Sequence, residues 1–449
     1  MNPIDTLVRA RWVVPVEPTG VVLERHSIAI EGGAIRDVFP TEEDPPRYEA
    51  RAVVDLPTHA VIPGLINAHT HAAMSLFRGL ADDLPMMEWL HEHIWPAEGH
   101  WVSAEFVRDG TSLSVVEMLR GGTTCFNDMY FFPDEAARVA EEAGIRACVG
   151  LIVLDFPSAW AQSPDEYISK GLKLHDDLLG NNLIATAFAP HAPYSVSDAP
   201  LERIRTLADE LDLRIHMHVH ETADEVAQAE TETGLRPLAR LERLRLLTQR
   251  LLAVHMTQLQ AEEIEDLAAA GVHVLHCPES NLKLASGFCP DETLRRAGIN
   301  IALGTDGAAS NNDLDMLGEM RTAALIAKGV SGNATALPAY TALRAATLSG
   351  AKALGLDDRI GSLQPGKSAD LAAIDLSAAS NQPVYDPVSQ IVYAATRDQV
   401  TDVWVAGKRV LHDRGLTTLD EPAILRRAGD WRNRIGRWEA SSSGQSKKV

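Results

Sequence analysis

The sequence predicts an α/β protein: a closed (β/α)₈ barrel accompanied by a small β domain assembled from both chain ends. Three observations carry this expectation. Between about residues 60 and 310, eight apolar β-type runs alternate with helical patterns, the signature of a parallel α/β architecture. Short alternating runs in the first 60 residues return toward the end of the chain, and 449 residues leave room for a companion beside a barrel of ~250 residues.

In chain order, residues 1–60 carry runs such as "SIAIEGGAIRDVFP", with a turn at Gly32 and Gly33, and supply the first half of the small domain. Residues 61–360 form the barrel. Its strands are "HAVIPGLINAHTH", "TTCFNDM", "IRACVGLIV", "LIATAFAP", "RIHMHVHE", "LLAVHMT", "GVHVLHC" and "NIALGTDG". Between them, "APLERIRTLADELDL" places Leu201, Ile204, Leu207, Ala208 and Leu211 on one helical face, and "AEEIEDLAAAG" closes on Gly271 as a C-cap. A doubly wound open sheet is the competing arrangement, but no GxGxxG follows the first strand. Residues 361–449 return to the small domain through "SADLAAIDLS" and "VTDVWVAGKRVLHD", followed by a terminal helix and a polar tail, "ASSSGQSKKV", expected to fray.

Composition narrows the function. Hydrophobic residues make up 45% and charged residues 23%, both globular values, and no repeat of fixed period is present. Acidic residues outnumber basic ones 62 to 41, a formal charge of -21 that argues against a nucleic-acid partner. No segment has the ~18 uninterrupted apolar residues of a membrane span, and the N-terminus is not a signal sequence, so a cytoplasmic protein without a membrane partner is expected. Cys125, Cys148, Cys277 and Cys289 are widely spaced without a CxxC pair, and read as buried thiols.

Catalytic side chains of such barrels come from the C-terminal ends of the strands. His69 and His71, two apart at the end of the first strand, share a face and can converge on one ion. His191 follows the fourth strand, His255 ends the sixth and Asp306 lies at the end of the eighth. The pair His91 and His93 in "WLHEHIW" lacks the second histidine of HExxH and reads as an exposed helical turn. In "RIHMHVHE" the residues His216, His218 and His220 would all face the lumen. Spacing alone favours His220, nearest the strand end, as a ligand.

Taken together, "PGLINAHTH", "HVHET", "AVHMT" and "LGTDGAASNN" resemble the amidohydrolase superfamily, in its aminohydrolase branch that includes the 5'-methylthioadenosine/S-adenosylhomocysteine deaminases. The resemblance covers nearly the whole chain. It implies that the fifth-strand ligand is His218, three residues before Glu221, and that His216 and His220 are supporting residues. It further implies one zinc ion per subunit on His69, His71, His218 and Asp306, although another divalent metal would suit the same donors. Asp306 would take a proton from the attacking water, His255 would orient the attack, and Glu221 would shuttle protons to the ring nitrogen and the departing ammonia. Read without the resemblance, Glu221 is a carboxylate at a helix N-terminus.

For substrate binding, the resemblance assigns Glu98 to the ribose hydroxyls and His191 to a substrate contact; otherwise Glu98 is a surface residue of an amphipathic loop. Met86, Met87 and Trp89 in "LPMMEWL" either wall the pocket or belong to a helix core. Some relatives hold the amino-acid carboxylate of S-adenosylhomocysteine with an arginine after the third strand, whereas this chain reads "ACVGLIVLDF". The expected activity is therefore deamination of 5'-methylthioadenosine first, with S-adenosylhomocysteine and adenosine as further nucleoside substrates. Hydrolysis of another amino- or chloro-heterocycle, a guanine-like purine or an s-triazine, is the alternative enzyme, and a catalytically silent barrel in an interaction protein is the non-enzymatic one. A homo-oligomer is compatible with either.

Overall fold

A computed structural model of the protein describes residues 2–446. Eight parallel strands form the sheet predicted from the alternating pattern: Leu65–Thr70, Thr123–Asp128, Arg146–Val153, Ile184–Pro190, Ile215–Val219, Leu251–His255, His273–His276 and Asn300–Leu303, each hydrogen-bonded to the next in that order. The last and first strands meet through the loop beyond the eighth. There the Asp306 amide donates to the His69 carbonyl at 3.0 Å, and the Asn67 side chain pairs with Thr305 on both of its polar atoms. The closed ring aims all eight strand ends at one face.

The helices cover the barrel with the faces expected of them. In Asp198–Leu211 the buried residues are Leu201, Ile204 and Ala208, whereas Leu211 sits at the exposed edge of the stripe. Ala261–Ala270 ends on Gly271 in the left-handed conformation, as its C-cap reading requires.

A second sheet is built from both ends of the chain. Asn2–Val13, Leu23–Glu31, Ala34–Pro40 and Tyr48–Pro63 come from the N-terminal side, and Leu371–Asp375, Val400–Val405, Lys408–His412 and Gly415–Leu416 from the C-terminal side. Gly32 and Gly33 both adopt positive φ in the tight turn between the second and third of these strands, a geometry that glycine accepts without steric cost. The halves join where Tyr48–Pro63 pairs with Leu371–Asp375.

Two expectations change. "HAVIPGLINAHTH" is not one strand: "HAVIP" ends the long strand of the second sheet, and the barrel strand starts only at Leu65. The break falls at Gly64, where a Cβ would lie 2.1 Å from Thr124 Oγ1, so the chain passes between the sheets only without a side chain there. The polar tail does not begin at Ala440 either, because the terminal helix Glu421–Ser446 runs through most of it. Residues 447–449 of that expectation lie outside the described residues. All four cysteines are buried and free, and among the described residues no helix is long and apolar enough to cross a membrane.

Candidate metal centre and active site

The barrel face brings His69, His71, His218 and Asp306 together, with one ligand atom from each lying within 4.8 Å of all the others. Asp306 Oδ1 is 3.3 Å from His69 Nε2 and 3.2 Å from His71 Nε2, and His218 Nε2 is 3.2 Å from His69 Nε2. The far side of each ring is tied down. His71 Nδ1 donates to the Met129 carbonyl at 2.5 Å and His218 Nδ1 to the His191 carbonyl at 2.9 Å, so each presents a lone pair at Nε2 to the same point. His69 Nδ1 is 2.8 Å from His216 Nε2, and Asn127 Nδ2 donates to the other nitrogen of that ring.

Electrostatics agree with a cation at this point. Burial alone would lower the His71 pKa, yet its contact with Asp306 raises it to about 9, while burial lowers His69 to about 4. Asp306 is held well below the usual carboxylate range, because the two histidines outweigh the burial that would raise it. The point where these four residues converge is therefore one where a dication would satisfy three imidazole lone pairs and a carboxylate at once. This donor set suits zinc.

Asp306 is positioned by residues that sequence reading did not single out. Ser280 Oγ and Ser310 Oγ donate to its Oδ2 at 2.6 and 3.0 Å, and its φ of 61° places it in the left-handed region. Such strain is characteristic of functional sites. His255, at φ 72°, ends the sixth strand; its Nδ1 donates to Asn281 Oδ1 at 2.8 Å, leaving Nε2 directed at Glu221 Oε1, 3.6 Å away. Asn281 and Ser280 sit together in "CPESNLK", directly after the seventh strand. Strand-end position was the signal that could have found them.

Glu221 is buried between the fifth strand and the helix Ala223–Thr233. Burial raises its carboxyl pKa, and only in part does His255 counteract this. The two histidines beside His218 diverge. His216 faces the lumen beneath His69, but the chain leaves the strand at His220, whose φ is 53°. The His220 ring therefore turns away to the Gln258 carbonyl and the Leu238 amide, and the shared lumen face expected for all three histidines ends at His218.

A cavity of about 630 Å³ opens over these residues, lined by His71, His218, Glu221, His255 and Asp306 together with Glu98 and His191. Glu98 lies on the helix Trp95–Trp101 and accepts a 2.7 Å hydrogen bond from Tyr130 Oη. Burial pushes its pKa up to about 7, against the opposing influence of Tyr130. His191 follows the fourth strand, with Nδ1 2.9 Å from Ser195 Oγ and a pKa lowered to about 3, chiefly by burial. Met86 and Trp89 line the same cavity, whereas Met87 is exposed. His91 and His93 lie in a π-helical turn, Trp89–Ile94, outside the metal cluster.

Comparison with known proteins places this geometry in context. The amidohydrolase family matches residues 60–410. A 5-methylthioadenosine/S-adenosylhomocysteine deaminase from Teredinibacter turnerae is 51% identical over 433 residues, covering 96% of this chain and 98% of the relative. Among solved structures, an adenosine deaminase from Xanthomonas campestris with bound zinc is 56% identical, with a TM-score of 0.96 over 97% of this chain and 99% of that one. The zinc complex of atrazine chlorohydrolase from Arthrobacter aurescens is 25% identical, with a TM-score of 0.88 over 95% of this chain and 100% of that one. On its sequence and on its fold alike, this chain belongs to the amidohydrolase family.

Proposed function

We propose that the protein is a zinc-dependent deaminase that converts 5'-methylthioadenosine and S-adenosylhomocysteine to their inosine analogues and ammonia. The observation that carries this reading is one cavity lined by His71, His218 and Asp306 of the four-ligand cluster together with Glu221, His255 and Glu98. His69, His71, His218 and Asp306 would hold the ion, which supplies the Lewis acidity that brings the pKa of water to about 7.

Deamination adds the elements of water across the C6–N bond of the purine. Asp306 receives the proton of the attacking water, and the donors Ser280 and Ser310 keep that carboxylate ionised and oriented. His255, with its tautomer set by Asn281, presents Nε2 to the attacking oxygen. Glu221 delivers a proton from its carboxyl to the ring nitrogen adjacent to C6; the proton taken by Asp306 passes to the amino group, ammonia leaves with the electrons of the broken C–N bond, and the hydroxyl proton returns to Glu221 as the carbonyl forms. Burial raises the Glu221 carboxyl pKa, the direction that suits a proton donor.

Glu98 accepts from both ribose hydroxyls, which a carboxylate can do at once, and His191 contacts the substrate. The stretch after the third barrel strand, Leu154, Asp155 and Phe156, lines the cavity without an arginine, but Arg240 and Arg243 of the helix Pro237–Arg243 line the same cavity, so both 5'-methylthioadenosine and S-adenosylhomocysteine are kept as substrates. Four free thiols, all buried, suit a reducing cytoplasmic setting, and a small nucleoside is the only partner this reading requires.

The test is ammonia release by the zinc-loaded protein from 5'-methylthioadenosine, S-adenosylhomocysteine, adenosine and guanine, with chloride release from a chloro-triazine measured alongside. Release confined to the nucleosides is expected. Turnover of the triazine or of guanine alone would move the function to another heterocycle and remove the ribose role from Glu98.

A further inference from the structure

Glu98 is carried near the end of a continuous helical run of Met86–Trp101, in the stretch Trp95–Trp101 that follows the π-helical turn Trp89–Ile94. One face of the segment from Met86 to Glu98 lines the cavity. Beyond the cavity, the end of the run meets the far end of the chain: Ala97 belongs to an apolar cluster that includes Trp431 and Ile435 of the terminal helix, with Trp101 and Trp438 packed against it. His100 stacks on Trp438 with ring centroids 5.1 Å apart and planes 19° apart, and Trp101 meets Trp431 edge-on at 6.0 Å. The Arg434 guanidinium lies 3.8 Å from the Trp431 ring centroid and 5.4 Å from that of Trp101, bridging the two.

The terminal helix is itself anchored. Asp109, buried in the barrel-side helix Ala104–Arg120, accepts from Arg427 Nε at 2.7 Å and from Trp431 Nε1 at 2.9 Å. A continuous line of contacts therefore runs from the barrel through Asp109 and Trp431 to the outer face of the helix that bears Glu98. Among the described residues, it is the Tyr130 hydroxyl that donates to that carboxylate.

We propose that the terminal helix Glu421–Ser446 is part of the nucleoside-binding apparatus, with Trp431 and Trp438 as positioning residues that hold Glu98 toward the ribose. The inference rests on the ribose role of Glu98. It concerns substrate affinity alone, since neither tryptophan is among the residues of the metal cluster.

The test uses the full-length, zinc-loaded protein and its Trp438→Ala, Trp438→Phe, Glu98→Ala and Trp438→Ala/Glu98→Ala variants. In Trp438→Ala, amide exchange across residues 95–102 accelerates by about tenfold while that of the strand Ile215–Val219 is unchanged. The KM for 5'-methylthioadenosine rises about tenfold with kcat within about twofold and zinc content intact, and Trp438→Phe recovers most of the loss. In the Glu98→Ala background, Trp438→Ala adds little. Unchanged exchange across residues 95–102, or an equal KM penalty with and without Glu98, overturns the proposal. A normal KM for Glu98→Ala alone instead overturns the ribose assignment, and the exchange data separate the two failures.

Discussion

Replacing Tyr130 with phenylalanine deletes one hydroxyl, the donor to Glu98 Oε1 at 2.7 Å, and leaves the ring in place. A hydrogen bond to a charged acceptor contributes about 1.5–3 kcal/mol, and 1.36 kcal/mol corresponds to one pH unit. That bond favours the ionised carboxylate, so its loss raises the pKa of Glu98 further above the value of about 7 set chiefly by burial. About half of Glu98 is ionised at pH 7 in the parent; a rise of roughly one to two pH units leaves about a tenth to a hundredth ionised. On the proposed ribose role of Glu98 the diol needs the ionised form, so kcat/KM for 5'-methylthioadenosine should fall about 5- to 50-fold at pH 7 and recover most of the loss by about pH 9. The assay is kcat/KM from pH 6 to 9.5 at constant ionic strength, with zinc content checked at each end. An unmoved acid limb, or a loss equally large at pH 9, would refute the argument that Tyr130 acts by keeping Glu98 charged.

Four further outcomes are expected. Glu221→Gln should retain zinc and lose about 10²- to 10⁴-fold in kcat, which metal analysis and single-turnover kinetics would check. Asn281→Ala removes the acceptor that fixes the His255 tautomer, so kcat should drop about tenfold or more with KM and zinc content little changed; an unaltered kcat would deny His255 its orienting role. Glu98→Gln should raise the melting temperature at pH 8 while impairing nucleoside turnover. The pKa of Glu98 is raised on folding, so its contribution favours the folded state below the unfolded carboxyl value of 4.5, is lost as pH climbs toward 7, and has no counterpart in a neutral amide. Chelation of the metal should lower the melting temperature, by an amount that grows with the concentration of zinc present beforehand, and His69→Asn should abolish that dependence.

Much of this architecture is legible locally. Alternation of apolar runs with amphipathic helices reflects interactions among near neighbours, so the eight strands and helices such as Asp198–Leu211 follow from spacing alone. The strand-end rule likewise finds His69, His71, His255 and Asp306, because a parallel barrel sends every strand's C-terminal end to one face. Glu98 has no such local signature, since no pattern in the sequence distinguishes a ribose receptor from a loop glutamate, and only family resemblance singles it out.

What tertiary structure alone decided depends on contacts between distant segments. The turn of the chain at His220 separates it from His218, and nothing in "HMHVH" announces a positive φ. Ser280, Ser310 and Asn281 acquire meaning only when the loops after the seventh and eighth strands close beside His255 and Asp306. Gly64 ends one sheet and opens the next because Thr124, far along the chain, occupies the space a side chain would need. The continuation of the last helix through a polar stretch, and its packing against the helix that carries Glu98, join residues more than three hundred positions apart. Periodicity encodes which face of an element is apolar; barrel closure, a collective property of all eight strands, sets which side chains meet.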